Sequence, residues 1–245
     1  MSLRFKRFFS VDSAKAIKAQ GYGYLNAINY MAPARVAGLG DMCGNSTKGC
    51  EQICLGEHSG QAAMRKDGEL NAVNLSRINK IAYFMGDRKA FMSEMVLHIS
   101  RLEKTANREN LTLAVRPNGS TDLAWESIKD ENGLTVFDHF PHIQFLDYTK
   151  NHRRFKKPLP FNYHLTFSRS ETNEAQCKTL LAQGENVAVI FGHGLPVTRN
   201  FWGYRVIDGD RHDLRFLDPK GVIVGLTPKG NKAKKDTSGF VLWNY

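Results

Sequence analysis

Apolar positions along the chain change period several times, and each change predicts a change of element. After "MGD", Phe91, Met95, Ile99 and Leu102 recur at helical spacing behind Asp87, a cap-type residue, which predicts a core-facing helix. Short runs rich in β-branched and aromatic residues follow: "LTLAVRP" from Leu111, "HIQFLDYT" from His142, "NYHLTFS" from Asn162 and "NVAVIFG" from Asn186. Each has the length and composition of a buried strand. Between the third and fourth, "SETNEAQCKTLLAQGEN" opens with cap-type residues and closes near Gly184, as a crossover helix does. That predicts a β-α-β unit. In "GYRVIDGDRHDLRFLDPKGVIVGLTPKG" the apolar runs are separated by "DGD" and "DPKG", turn chemistry expected between antiparallel strands.

The expected fold is thus α/β, a partial (βα) barrel with an irregular helical N-terminal part and a C-terminal antiparallel β segment. One domain is expected over 1–245, with a cysteine-bearing region at about 26–66, a β/α core at about 87–226 and a basic C-terminal segment at 227–245. No internal repeat, low-complexity tract or linker interrupts it, and "GNKAKKDTSG" reads as an exposed loop.

Composition narrows the classes. Four cysteines in 245 residues are too few for a disulfide scaffold, and "MSLRFKRFFSVDSAKAIKAQ" lacks the apolar core of a signal peptide. The expected location is cytoplasmic. Apolar runs are strand-length, far short of the roughly 20 residues of a membrane helix, so no membrane partner is expected. The net charge of +10 would attract a polyanion, DNA or RNA, though it equally suits a well-solvated surface.

Three of the four cysteines, Cys43, Cys50 and Cys54, fall in "CGNSTKGCEQIC". Spacing of four puts Cys50 and Cys54 on one helical face, and the small, glycine-bearing "GNSTKG" lets Cys43 fold back toward them. Clustered thiolates repel unless a soft cation or an iron-sulfur core absorbs their charge. A [4Fe-4S] cluster on three thiolates leaves one iron open to substrate or cofactor. Zinc in a structural site needs a fourth ligand. His58 is nearest, but a continuous helix would set it roughly 12 Å from Cys50, so it joins only if Gly56 breaks the helix. Cys177 is the distant alternative, and a helix-borne cysteine also reads as core packing. Structural or redox thiols remain the third reading.

A compact three-cysteine motif ahead of a β/α run resembles the radical S-adenosylmethionine enzymes and their phage relatives. "IQFLDYTKNHRRF" and "YHLTFSRSETN" look like strand-ending segments of a phage family with a radical-SAM-like barrel. With "RPNGSTDLAWE" and "VIDGDRHDLRFLDPKGVIVGL", the pattern from about Asn26 onward is similar to a bacteriophage family known mainly by a gene-product number. The resemblance implies a radical-SAM-like fold, a [4Fe-4S] cluster on Cys43, Cys50 and Cys54, and S-adenosylmethionine as cofactor. The cysteine intervals are longer than the superfamily's C-x3-C-x2-C, and its glycine-glycine-glutamate strand is missing.

In a β/α barrel, polar residues at the C-terminal strand ends face a common mouth. Here they are Arg116, Asn118 and Asp122, then Asp147 and Lys150, then Ser168, Ser170 and Glu171. Asn118, Asp122, Lys150 and Glu171 are the candidates for catalysis, and Arg116, Ser168 and Ser170 for cofactor binding. Asn118-Gly119 also reads as a turn, Asp122 as a helix cap and Glu171 as part of a helical first turn.

The run "KNHRRFKK" brings Lys150, Arg153, Arg154, Lys156 and Lys157 together beside an aromatic, as a phosphate-tracking loop would. A solvated connection is the alternative. Lys229, Lys232, Lys234 and Lys235 form a second basic group. "GDRHD" and the glycine-flanked His193 carry metal-capable or basic groups without partners at diagnostic spacing, and read as bends. No Walker loop, dinucleotide fingerprint or G-x-S-x-G elbow is present. Two functions follow from different classes: a phage-type iron-sulfur protein, a radical-SAM-like enzyme acting on nucleic acid or a host component, or a zinc-stabilised, non-catalytic nucleic-acid-binding protein.

Overall fold

The computed structural model describes residues 4–64 and 69–245, so the end of the cysteine-bearing region, residues 65 and 66, lies outside the described residues. The chain opens with α1 (Ala14–Gln20), β1 (Tyr24–Ile28) and two short helices, α2 (Lys48–Gln52) and α3 (Leu55–His58). Two long helices follow, α4 (Ala72–Gly86) and α5 (Arg88–Arg108), then β2 (Thr112–Arg116), α6 (Val136–His139), β3 (Gln144–Thr149) and β4 (Tyr163–Ser168). The chain continues through α7 (Glu174–Ala182), β5 (Val187–Ile190), β6 (Asn200–Phe201), β7 (Tyr204–Asp208), β8 (Ile223–Leu226) and α8 (Gly230–Ala233).

The helix predicted behind Asp87 is α5, whose first turn is capped where the Asp87 carboxylate accepts from Ala90 N at 3.0 Å. Phe91, Met95 and Ile99 are buried on its inner face. Each such side chain contributes about 1.5–3 kcal/mol on removal from water. Together with α4, that face covers one side of an eight-stranded sheet of order β1-β2-β3-β4-β5-β8-β7-β6. All pairings are parallel except β6 with β7.

Period-2 alternation divides the side chains between the two faces. Leu113, Val115, Phe145 and Leu165 enter the core beneath α5, whereas Ala114 and Leu146 pack on the other face against Ala19 and Leu214. That second face is unusually polar: Asn26 and Thr166 are fully buried there, and the polar atoms of both side chains lack a protein partner, as does His164 Nε2.

The C-terminal antiparallel expectation is overturned. β8 inserts between β5 and β7 and runs parallel to both. "DGD" opens a crossover rather than a hairpin: Asp210 accepts from Thr227 N at 3.0 Å, and the connection carries buried Asp213, Leu214 and Arg215 across the sheet. Turn-forming residues serve both connections, so composition alone does not separate them. The antiparallel pair is the β6–β7 hairpin, closed by Trp202 and Gly203 with φ of 54° and 83°, the left-handed pair that a tight hairpin requires. Among the described residues no helix is long and apolar enough to cross a membrane.

Candidate functional site

Parallel pairing brings the C-terminal ends of β2, β3, β4, β5 and β8 to one edge, and the cysteine segment lies over the loops that leave it. Thr47 caps α2, accepting from Cys50 N at 3.3 Å, and its hydroxyl donates to Glu171 Oε2 at 2.8 Å. Gly49 N donates to Glu171 Oε1 at 2.9 Å. A side chain at Gly49 has no room, because its Cβ would stand 2.4 Å from Ser238 Oγ and 2.8 Å from Glu171 Oε2. The carboxylate that leaves β4 is therefore the anchor of the cysteine helix.

The two cysteines at spacing four do not share a helix. α2 stops at Gln52, and Cys54 is the N-cap of α3, its carbonyl accepting from His58 N at 2.7 Å. The break falls at Ile53 and Cys54 rather than at Gly56, which lies inside α3 against Ser120. Cys43 reaches the same place from the preceding loop: its sulfur accepts from Ala34 N at 3.3 Å and donates to Ser120 O at 3.7 Å. Ala34 holds a left-handed φ of 43°, a strain on the order of 1–2 kcal/mol for a residue with a Cβ. Cys43, Cys50 and Cys54 thus line one cavity of about 270 Å³ with Pro33, Ala34, Ser46, Glu51 and Glu57.

Burial pushes the Cys43 thiol up to about 12 and the Cys54 thiol up to about 11, with neighbouring sulfurs adding to both. At neutral pH these two are uncharged thiols unless a cation joins them. The cation already beside them is Lys150, which follows β3. Burial alone would pull its ammonium down, but Cys50 and Asp122 hold it above the ordinary lysine value. Its Nζ also lies 5.2 Å from the centroid of the Phe240 ring. Among the described residues no group of three or more His, Cys, Asp or Glu is gathered so as to hold a metal ion.

Asp122 joins these loops, accepting from Lys150 N at 2.9 Å and pairing with Arg154 at 3.2 Å. Asn118 is a buried hub rather than an open turn. Its backbone N and its amide donate to Asp147 at 2.8 and 3.0 Å, and its carbonyl oxygen accepts from Thr121 Oγ1, Leu123 N and Trp125 Nε1. Asp147 also accepts from Tyr163, and burial, against the pull of Arg116, pushes its carboxyl up to about 7. Arg116 pairs with Asp213 at 2.8 Å and stands over the Tyr148 ring at 4.8 Å. Ser168 ends β4 and is half-buried, while Ser170 is buried, its backbone N donating to Asn173 at 2.7 Å.

The basic run divides. Arg153, Lys156 and Lys157 are exposed, but Arg154 is buried in a bidentate pair with Glu126 at 2.8 and 2.6 Å. Arg154 and Lys150 are therefore unavailable to a nucleic-acid backbone, because desolvated acids and thiols already hold them. Lys232, Lys234 and Lys235 are exposed on and after α8.

Cys177 does not approach the other three cysteines: it is fully buried under α7 with Phe167, Leu181 and Val187. His58 faces Lys232 Nζ at 3.2 Å. Sequence reading missed Thr47, Ala34 and Ser120, whose contacts with the motif are set by tertiary folding. It also missed the C-terminal residues Phe240 and Trp243, which pack with Cys50. None of these has a spacing signature.

The chain belongs to the Gene product 88 family, whose profile matches residues 6–243. No curated protein matches the chain, and neither does any solved structure.

Proposed function

We propose that this protein is an iron-sulfur protein in which Cys43, Cys50 and Cys54 hold a [4Fe-4S] cluster with one iron open. It is a radical-SAM-like enzyme whose substrate, nucleic acid or a host component, sits at the C-terminal mouth of a partial β/α barrel. The observation that carries this reading is the convergence of three thiols, from a loop and two separate short helices, on one cavity above the strand ends.

The donor set fits a cluster better than a single ion. Around one zinc ion, thiolates bonded at about 2.3 Å stand about 3.8 Å apart, and a structural site needs four donors. The described residues offer no such close group, and Cys177, the distant fourth, is packed in another core. A [4Fe-4S] cluster would need only the three thiolates of Cys43, Cys50 and Cys54 from the protein and would leave its fourth iron without a protein ligand. When bound and reduced by an external electron donor, it would supply one-electron chemistry at its open iron.

The chain's own residues do the positioning. Glu171 and Thr47 fix the Cys50 helix, and Ala34 N aims the Cys43 sulfur. Lys150, whose ammonium lies over the Phe240 ring, offsets thiolate charge. Arg116 and Ser168, at the ends of β2 and β4 on either side of β3, are the candidates to hold cofactor, with Ser170 two residues after Ser168. Among the catalytic candidates Lys150 is nearest the thiols, whereas Asn118, Asp122 and Glu171 act by holding the loops. The test is electron paramagnetic resonance of the anaerobically purified, reduced protein. A cluster signal that changes on adding S-adenosylmethionine supports the reading, and a signal indifferent to it removes the open iron.

A further inference from the structure

A second cavity, of about 540 Å³, opens beside the cysteine segment where β5 and β8 end, within the roughly 300–1,000 Å³ range of small-ligand sites. Gly192, Thr227, Lys229, Gly230, Lys234 and Trp243 border it. We infer that this cavity binds a nucleotide, with its base against Trp243 and its phosphate on Lys234. The inference names the substrate class for the reading above, and the cavity's own chemistry carries it whatever the cysteines hold.

The indole is held before any ligand arrives. Trp243 Nε1 donates to Asp236 O at 2.8 Å, and the ring lies so close to the end of β5 that a Cβ at Gly192 would stand 2.1 Å from it. His193 packs against it at 5.1 Å between centroids. A fixed aromatic ring costs little further entropy on stacking, and every base presents a π-face to it.

The charge beside the ring is unbalanced. Lys229 is neutralised by Asp210 at 3.0 Å and donates to Thr227 Oγ1 at 2.8 Å. Lys234 makes no ion pair among the described residues, and exposed Lys232 and Lys235 flank it. The neighbouring acid, Asp236, is buried and turned inward, accepting from Ser238 Oγ at 2.6 Å and Val241 N at 2.8 Å. A planar, stackable group carrying an anion matches an indole and a free ammonium on one cavity wall, and a nucleotide has both. Free mononucleotides and the nucleotides of a single strand share that chemistry.

The test measures AMP by equilibrium dialysis and a labelled oligodeoxythymidine by fluorescence anisotropy, on the full chain and on Lys234→Gln and Trp243→Leu. Trp243→Leu is expected to weaken binding about 5- to 150-fold, the range of a lost base stack. Lys234→Gln is expected to weaken it and to reduce the slope of log affinity against log salt by about 0.7 for a single strand. Comparable binding of AMP and oligonucleotide identifies a free nucleotide as the ligand, and much tighter oligonucleotide binding identifies a strand. Absence of binding to both probes overturns the proposal, as does a Lys234→Gln protein with unchanged affinity and salt slope. Lys234 is exposed, so that variant stands even if Trp243→Leu does not fold. Repeating the assay on Cys50→Ala separates the two readings: binding retained without iron leaves the nucleotide site standing when the cluster is removed.

Discussion

Glu171 Oε2 accepts the Thr47 hydroxyl at 2.8 Å, joining the end of β4 to the cap of the helix that carries Cys50. The sheet and the cysteine motif are coupled through this carboxylate, whose other oxygen takes Gly49 N. Glu171→Ala is expected to lower stability by about 2–3 kcal/mol in chemical denaturation, as for hydrogen bonds to a charged group. It should also lose bound iron with all three cysteines intact. Gly49→Ala should do the same by pushing the carboxylate away. Full iron content in both variants would detach the carboxylate from the cysteine site.

Asn118 serves three donors and binds Asp147, so Asn118→Ala is expected to cost about 3 kcal/mol by stranding buried Trp125 Nε1 and Leu123 N. Thermal and urea unfolding measure this. A loss below about 1 kcal/mol would mean that the loop finds other partners.

Arg154→Gln leaves Glu126 and Asp122 without their buried cation, at a cost of about 3–5 kcal/mol. Nucleic-acid affinity should stay unchanged in conditions where the variant remains folded. Arg153→Gln is the exposed counterpart and should leave stability within about 0.5 kcal/mol. Reversal of that order would return Arg154 to the surface.

His164 gives the fold a pH dependence. Burial, with Arg215 and Lys220 near, pulls its pKa from 6.5 down to about 4, so the folded state holds the neutral ring. The unfolded chain takes up a proton first as pH falls. The His164 contribution is therefore whole above about 6.5, declines between 6.5 and 4, and levels off below, a loss on the order of 3 kcal/mol, while the raised Asp147 carboxyl acts with the opposite sign in the same window. His164→Leu should flatten the profile in that window relative to the parent. Parallel profiles for the two proteins would rule the residue out as its source.

How much of this was legible in the sequence depends on which forces decide. The strands from Thr112, Gln144, Tyr163 and Val187 carry β-branched and aromatic runs that bury on both faces, and the α5 stripe repeats at helical period, so local pattern sufficed. That the three cysteines line one cavity agrees with their closeness in the chain. The helix break at Ile53 did not, because it comes from docking on Glu171 and Ser120. The parallel placement of β8 was illegible for a similar reason: "DGD" and "DPKG" do not reveal whether a chain turns back or crosses over. Charged and amide side chains read as surface, so the burial of Arg154 and Asn118 appears only once their partners are placed.

The central claim is tested most directly by iron, sulfide and zinc content on protein purified without oxygen, for the parent and for alanine variants of each cysteine. The account predicts iron and sulfide near about four each per chain, lost in Cys43→Ala, Cys50→Ala and Cys54→Ala and retained in Cys177→Ala. One zinc without iron, or equal iron loss in all four variants, would contradict it.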